Sequence, residues 1–138
     1  MSMINFNLDD GKERQPLPAG DYHIKVSQSD LRPSDGQKRP RIVIGLEVIG
    51  PASEGFMLFT GLSLPKEGDE EHVLNDGRTM HEFLLSLVKE AAIALGVDYS
   101  KKGFNTDDFI GRESIVSVAL QTGDDGVERN NVTRWRAL

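Results

Sequence analysis

The chain has 138 residues, 38% of them hydrophobic, with 14 glycines and a formal net charge of −6. That is the size and composition of one globular domain with a core, and it excludes wholesale disorder. No apolar run approaches the roughly 18 residues needed to cross a bilayer. The first ten residues lack the basic and apolar regions of a signal peptide, and there is no cysteine for disulfides, thiolate metal sites or cysteine nucleophiles. The expectation is a cytoplasmic protein with no membrane partner.

Residues 1–19 are polar, closed by Pro16 and Pro18, and read as an arm ahead of a single domain over 20–138. Gly20–Ser27 alternates, with Tyr22, Ile24 and Val26 on one face and His23 and Lys25 on the other, the two-residue period of a half-buried strand. The turn formers of Gln28–Pro40 predict a loop. Arg41–Ile49 is a β-branched strand with Ile42, Ile44, Leu46 and Val48 inward, and Gly55–Leu64 is a third, with Phe56, Leu58, Leu62 and Leu64 sharing one parity. Pro65–Gly77 is a polar, acidic connection.

Thr79 and Glu82 have the spacing of a capping box. Met80, Phe83, Leu84, Leu87, Val88, Ala91 and Leu95 follow at helical spacing, and Gly96 stands where a left-handed cap belongs, so a helix is predicted over 79–95. Val97–Arg112 is irregular, with a short turn at Thr106–Phe109. Ser114–Gln121 is a fourth strand, Asp125–Gly126 a hairpin turn, and Glu128–Leu138 a fifth strand. Five strands with a helix between the third and fourth predict a mainly β protein, a five-stranded OB-fold Greek-key barrel.

The segments Leu17–Pro18–Ala19–Gly20–Asp21–Tyr22, Leu46–Glu47–Val48–Ile49–Gly50, Glu54–Gly55 and Asn130–Asn131–Val132–Thr133–Arg134–Trp135 follow one another in this chain. Together they resemble the pattern of the phage-encoded OB-fold single-stranded DNA-binding proteins. The resemblance implies an OB-fold and non-sequence-specific single-stranded DNA binding in phage replication or recombination, with replication proteins as further partners. Many such proteins end in an acidic tail that recruits partners. This chain ends Arg134–Trp135–Arg136–Ala137–Leu138, so recruitment through a tail is not expected.

The net charge alone opposes a nucleic-acid partner, but its distribution is uneven. Residues 66–126 carry 13 acidic and 6 basic side chains, whereas residues 127–138 carry 1 and 3. Single-strand binding needs cations for phosphates and flat side chains for bases. Lys25, Lys38, Arg39 and Arg41 around the first loop, and Arg129, Arg134 and Arg136 on the last hairpin, are the candidate cations. Phe59 is the candidate stacking residue, with Gly45 and Gly61 on its face. Its alternative is burial under the arm or in a dimer. Trp135 joins the candidates if a bulge or frayed end turns it outward; if Arg134 and Arg136 point outward without one, it is core.

No Gly-x-Ser-x-Gly elbow and no phosphate-binding Gly-x-x-x-x-Gly-Lys loop is present. Asp69, Glu70, Glu71 and His72, with Asp76 nearby, are the one dense set of hard metal ligands, readable as a nuclease site or as a solvated loop. The expectation is a non-enzyme without cofactors, as a monomer or homodimer. A phage structural or protein-interaction module is the alternative, and a metal-dependent nuclease the third reading.

Overall fold

The alternating segments become five strands: β1 Gly20–Arg32, β2 Arg41–Val48, β3 Met57–Ser63, β4 Glu113–Thr122 and β5 Glu128–Arg136. The structure is a computed structural model that describes residues 2–10, 15–33, 39–51 and 53–138. One helix, α1 (Met80–Leu95), lies between β3 and β4, and short 3-10 turns occupy Leu8–Asp10 and Thr106–Phe109. The fold is mainly β.

The strands form one antiparallel sheet in the order β3-β2-β1-β4-β5. Both ends of that order stay separate in hydrogen-bonding terms, so among the described residues the sheet is open where a closed barrel was expected. The two end strands still approach each other, and α1 packs against both of them and against β4. Long β1 makes this curvature possible: residues 20–25 pair with β4 and residues 24–32 with β2.

The first strand overruns its predicted end. Ser27 is an extra residue opposite β2, since Val26 pairs with Leu46 and Gln28 with Gly45. A bulge of this kind shifts the inward parity by one. Ile24 and Val26 are buried before it and Ser29 after it. The segment 28–32, expected in a loop, therefore continues as strand and sets Arg32 directly opposite Arg41.

β5 contains a second irregularity. Ser117 pairs with Arg134 and Val118 with Val132, leaving Thr133 as the extra residue. Val132 and Trp135 can then both face the core although their parities differ.

The core combines Ile24, Val26, Ile42, Ile44, Leu46, Val48, Leu58, Leu62, Val116 and Val118 from the sheet with Val88, Ala91 and Leu95 from α1. Phe109 is fully buried there, which fixes the short turn before β4. The helix starts and stops as its sequence demands. Thr79 accepts from the Glu82 backbone and Glu82 accepts from the Thr79 backbone, at 3.1 and 3.0 Å, while Gly96 takes the left-handed conformation at φ 72°. N-terminal caps of this type contribute about 1 kcal/mol.

The arm is anchored at its last turn. Leu17 is buried, and its backbone N–H and carbonyl each bond the Asn130 side chain at 2.8 Å. The Asn130 amide thus supplies the donor and acceptor that a neighbouring strand would offer. Residues before this anchor differ sharply: Met3, Ile4, Phe6 and Leu8 are all strongly exposed.

Candidate nucleic-acid interface

The outward face of β1, β2 and β3 is built from cross-strand rows. One row is Lys25, Glu47 and Met57; the next is Gln28, Gly45 and Phe59; then come Asp30, Val43 and Gly61, and finally Arg32, Arg41 and Ser63. Phe59 is 61% exposed. Its ring lies over Gly45, where an added Cβ would stand 3.3 Å from the ring edge and 3.2 Å from the Gln28 Cβ. The glycine thus gives the ring a flat seat, and the aromatic in turn covers backbone that a glycine leaves bare.

Arg32 and Arg41 close the far row. They are register partners, both exposed, and among the described residues no carboxylate pairs with either. Directly opposed like charges on antiparallel strands destabilise the pair, with Cβ atoms about 4.5–5.5 Å apart. An anion between them would relieve that repulsion. The distance along β2 from the Phe59 row to the arginine row is four residues, about 13 Å at 3.3 Å per residue.

At its other border, Phe59 faces an open groove of about 230 Å³ between the starts of β3 and β5, lined also by Pro16, Leu58, Arg129 and Asn130. The Arg129 guanidinium is held by Asp125, with contacts of 2.6 and 3.3 Å. That pair lies against Gly123, where a Cβ would come within 2.7 Å of Arg129 Nη1. The guanidinium beside Asp125 holds its carboxyl below the ordinary value, aided by the Val127 N–H.

The remaining candidates are dispersed. Lys25 is exposed and stands between Glu47 on β2 and Glu113 on β4. Arg39 turns away to Asp69 in a two-pronged contact of 2.7 and 3.1 Å. Asp69 also accepts from the Lys66 N–H at 2.8 Å. It is buried at 3% exposure, and these donors, Arg39 first, hold its carboxyl at about 2. Arg136 bonds Asp21, which accepts from Ser117 as well. The Ser117 hydroxyl and then Arg136 lower the Asp21 carboxyl. Arg134 is exposed on the same outward side of β5. Lys38 lies outside the described residues.

These placements decide one open reading of the sequence and correct another. Trp135 is 6% exposed and belongs to the core, so it offers no ring face to a base. The cations of the first loop and last hairpin do not gather in one cluster, because Arg39, Arg129 and Arg136 each bond a carboxylate of this same chain.

Nor does the acidic connection converge on a point. Asp69 faces Arg39, Asp76 binds Arg78 at 2.6 Å, and Glu70 lies 3.9 Å from His81. Among the described residues no three His, Asp or Glu side chains are placed to hold a metal ion. Arg32 is the residue that sequence reasoning left out of the site. Its signal was present in the Leu31–Arg32 continuation of β1, hidden by the bulge at Ser27. Comparison with protein-family models and with curated proteins finds no match to this chain.

Proposed function

We propose that this protein binds single-stranded DNA without strict sequence preference, on the outward face of β1, β2 and β3, in phage DNA replication or recombination. The observation that carries the reading is the pairing, on one face, of an exposed Phe59 seated on Gly45 with Arg32 and Arg41, which no carboxylate of the described residues pairs. A base stacks on the ring and the phosphates that follow it meet the arginines. Arg129 and Lys25 border the same track, each already beside carboxylates.

The strand order also favours the OB-fold as the finer description. In that barrel the same five-strand order closes through a seam between the third and fifth strands, and here those strands approach each other with Phe59 and Arg129 beside the gap. A cytoplasmic setting fits this function. Among the described residues no helix is long and apolar enough to cross a membrane.

Fluorescence anisotropy of a labelled oligo-dT tests the reading. Intrinsic fluorescence is a poor reporter, because the one tryptophan, Trp135, is buried away from the proposed face. With three or four cations engaged and about −0.7 per phosphate on single strands, log K against log salt should fall with a slope of about −2 to −3. Duplex DNA should bind far more weakly, since its bases cannot reach the ring. Equal binding of the two forms, or no binding at about 50 mM salt, refutes the proposal and leaves the protein-interaction module standing.

A further inference from the structure

The helix α1 has a second apolar side that the sheet does not cover. Leu85 and Ala92 on that side, with Lys89 between them, face a hairpin-like turn at Ser100–Gly103 whose backbone closes on itself at 2.9 and 3.1 Å. The turn carries Lys101 and Lys102 at its tip, and Tyr99 and Phe104 flank it. Phe104 is fixed from beneath by Phe109, with ring centroids 5.5 Å apart. The cleft between helix and turn has a volume of about 290 Å³ and an almost wholly apolar lining, bordered by Lys89 and Lys101. Tyr99 is 50% and Leu85 43% exposed. Three of the six basic residues of the acidic stretch 66–126, Lys89, Lys101 and Lys102, stand here, and no carboxylate lines the cleft.

The same chain has a segment with the complementary chemistry. Ile4, Phe6 and Leu8 alternate with Asn5 and Asn7, are exposed, and run directly into exposed Asp9 and Asp10. Four large apolar side chains within six residues, all in water, are unfavourable unless something covers them. Eight residues lie between Leu8 and Leu17, where the chain is anchored. That length spans at most about 30 Å, enough to leave one molecule and reach another.

We infer that the Ile4–Asp10 segment of one copy docks in the α1 cleft of a second copy. Phe6 or Leu8 enters between Leu85, Ala92, Tyr99 and Phe104, and Asp9 and Asp10 face Lys89 and Lys101. A cavity near the lower end of the roughly 300–1,000 Å³ range of ligand sites takes one or two large side chains. Donor segment and acceptor cleft are different surfaces, so the contact is head-to-tail and can propagate. It shares no lining residue with the proposed DNA face.

Sedimentation without DNA tests this separately from the DNA reading. The full chain should show weight-average mass rising with concentration. Deleting residues 2–10, or making Lys89→Glu with Lys101→Glu, should leave a monomer with an unchanged circular dichroism spectrum, because the altered residues are exposed. Mixing the deletion, which keeps its cleft, with the charge-reversed chain, which keeps its segment, should give a one-to-one dimer and nothing larger. Adding Asp9→Lys and Asp10→Lys to the charge-reversed chain should restore association. A full-length chain that stays monomeric up to about 1 mM overturns the inference. So does a mixture that fails to pair, or association that survives the deletion.

Discussion

Arg32 and Arg41 face each other across β1 and β2 with no carboxylate partner among the described residues, whereas Arg129 and Arg136 on β5 each hold one of this chain's own aspartates. The two regions belong to one sheet and carry the same side chain in similar exposure. What differs is the neighbour. An arginine with an internal anion has to exchange that partner for a phosphate, so only the charge difference between the two counts toward binding. One without an internal anion offers its whole charge, and facing its own kind it gains relief as well. A count of cations along the sequence does not measure a binding face; the count of unpartnered ones does.

This contrast can be broken most sharply at the arginine row. Arg32→Ala with Arg41→Ala should make the salt slope about 1.4 units shallower, two phosphates at about 0.7 each, with the largest loss of affinity at low salt. An unchanged slope would mean that phosphate binds elsewhere. Phe59→Ala should cost about 1–3 kcal/mol of binding, a factor of roughly 5 to 150, with the slope unaltered. A Phe59 change that alters the slope as well would show that ring and charge do not act separately.

Arg39→Ala sharpens the comparison from the other side. It should leave DNA affinity within about twofold, because its partner is Asp69 and not phosphate, while lowering the melting temperature by several degrees as a buried carboxylate loses its main donor. The same pair sets an acid limb. Asp69 lies at about 2 when folded against 3.8 ordinarily, so the unfolded chain takes up the proton first. Stability from this group is present above about pH 4 and is lost as pH falls from there toward 2. Urea midpoints across pH 2–6 should show that loss, and Asp69→Asn should flatten part of it. A modest gain belongs to Asp125→Asn, which frees Arg129 and should raise DNA affinity by about two- to fivefold in the same anisotropy titration, as expected for an exposed pair.

Much of the fold was legible because it depends on local chemistry. The Thr79–Glu82 box, the Gly96 cap, the Thr106–Phe109 turn and the inward parity of β2 all follow from residues within a few positions of one another. The site was less so. A single extra residue at Ser27, with no marker in composition, decides that Arg32 is on a strand and opposite Arg41. At Thr133 another lets Val132 and Trp135 share the core. Asp69 read as one acid among several because its partner Arg39 is 30 residues away, and only tertiary approach selects it over Glu70 and Glu71.

The clasp between Leu17 and Asn130 has a consequence for synthesis. The contact joins residues 113 apart in sequence, so its second half is translated long after its first. At about 5–20 residues per second, Leu17 is made some 6–23 s before Asn130 exists to receive it. Throughout that interval the alternating Ile4–Leu8 stretch and the unseated leucine emerge together beside the ribosome. Until then Leu17 lacks both of the hydrogen-bond partners that the Asn130 side chain supplies.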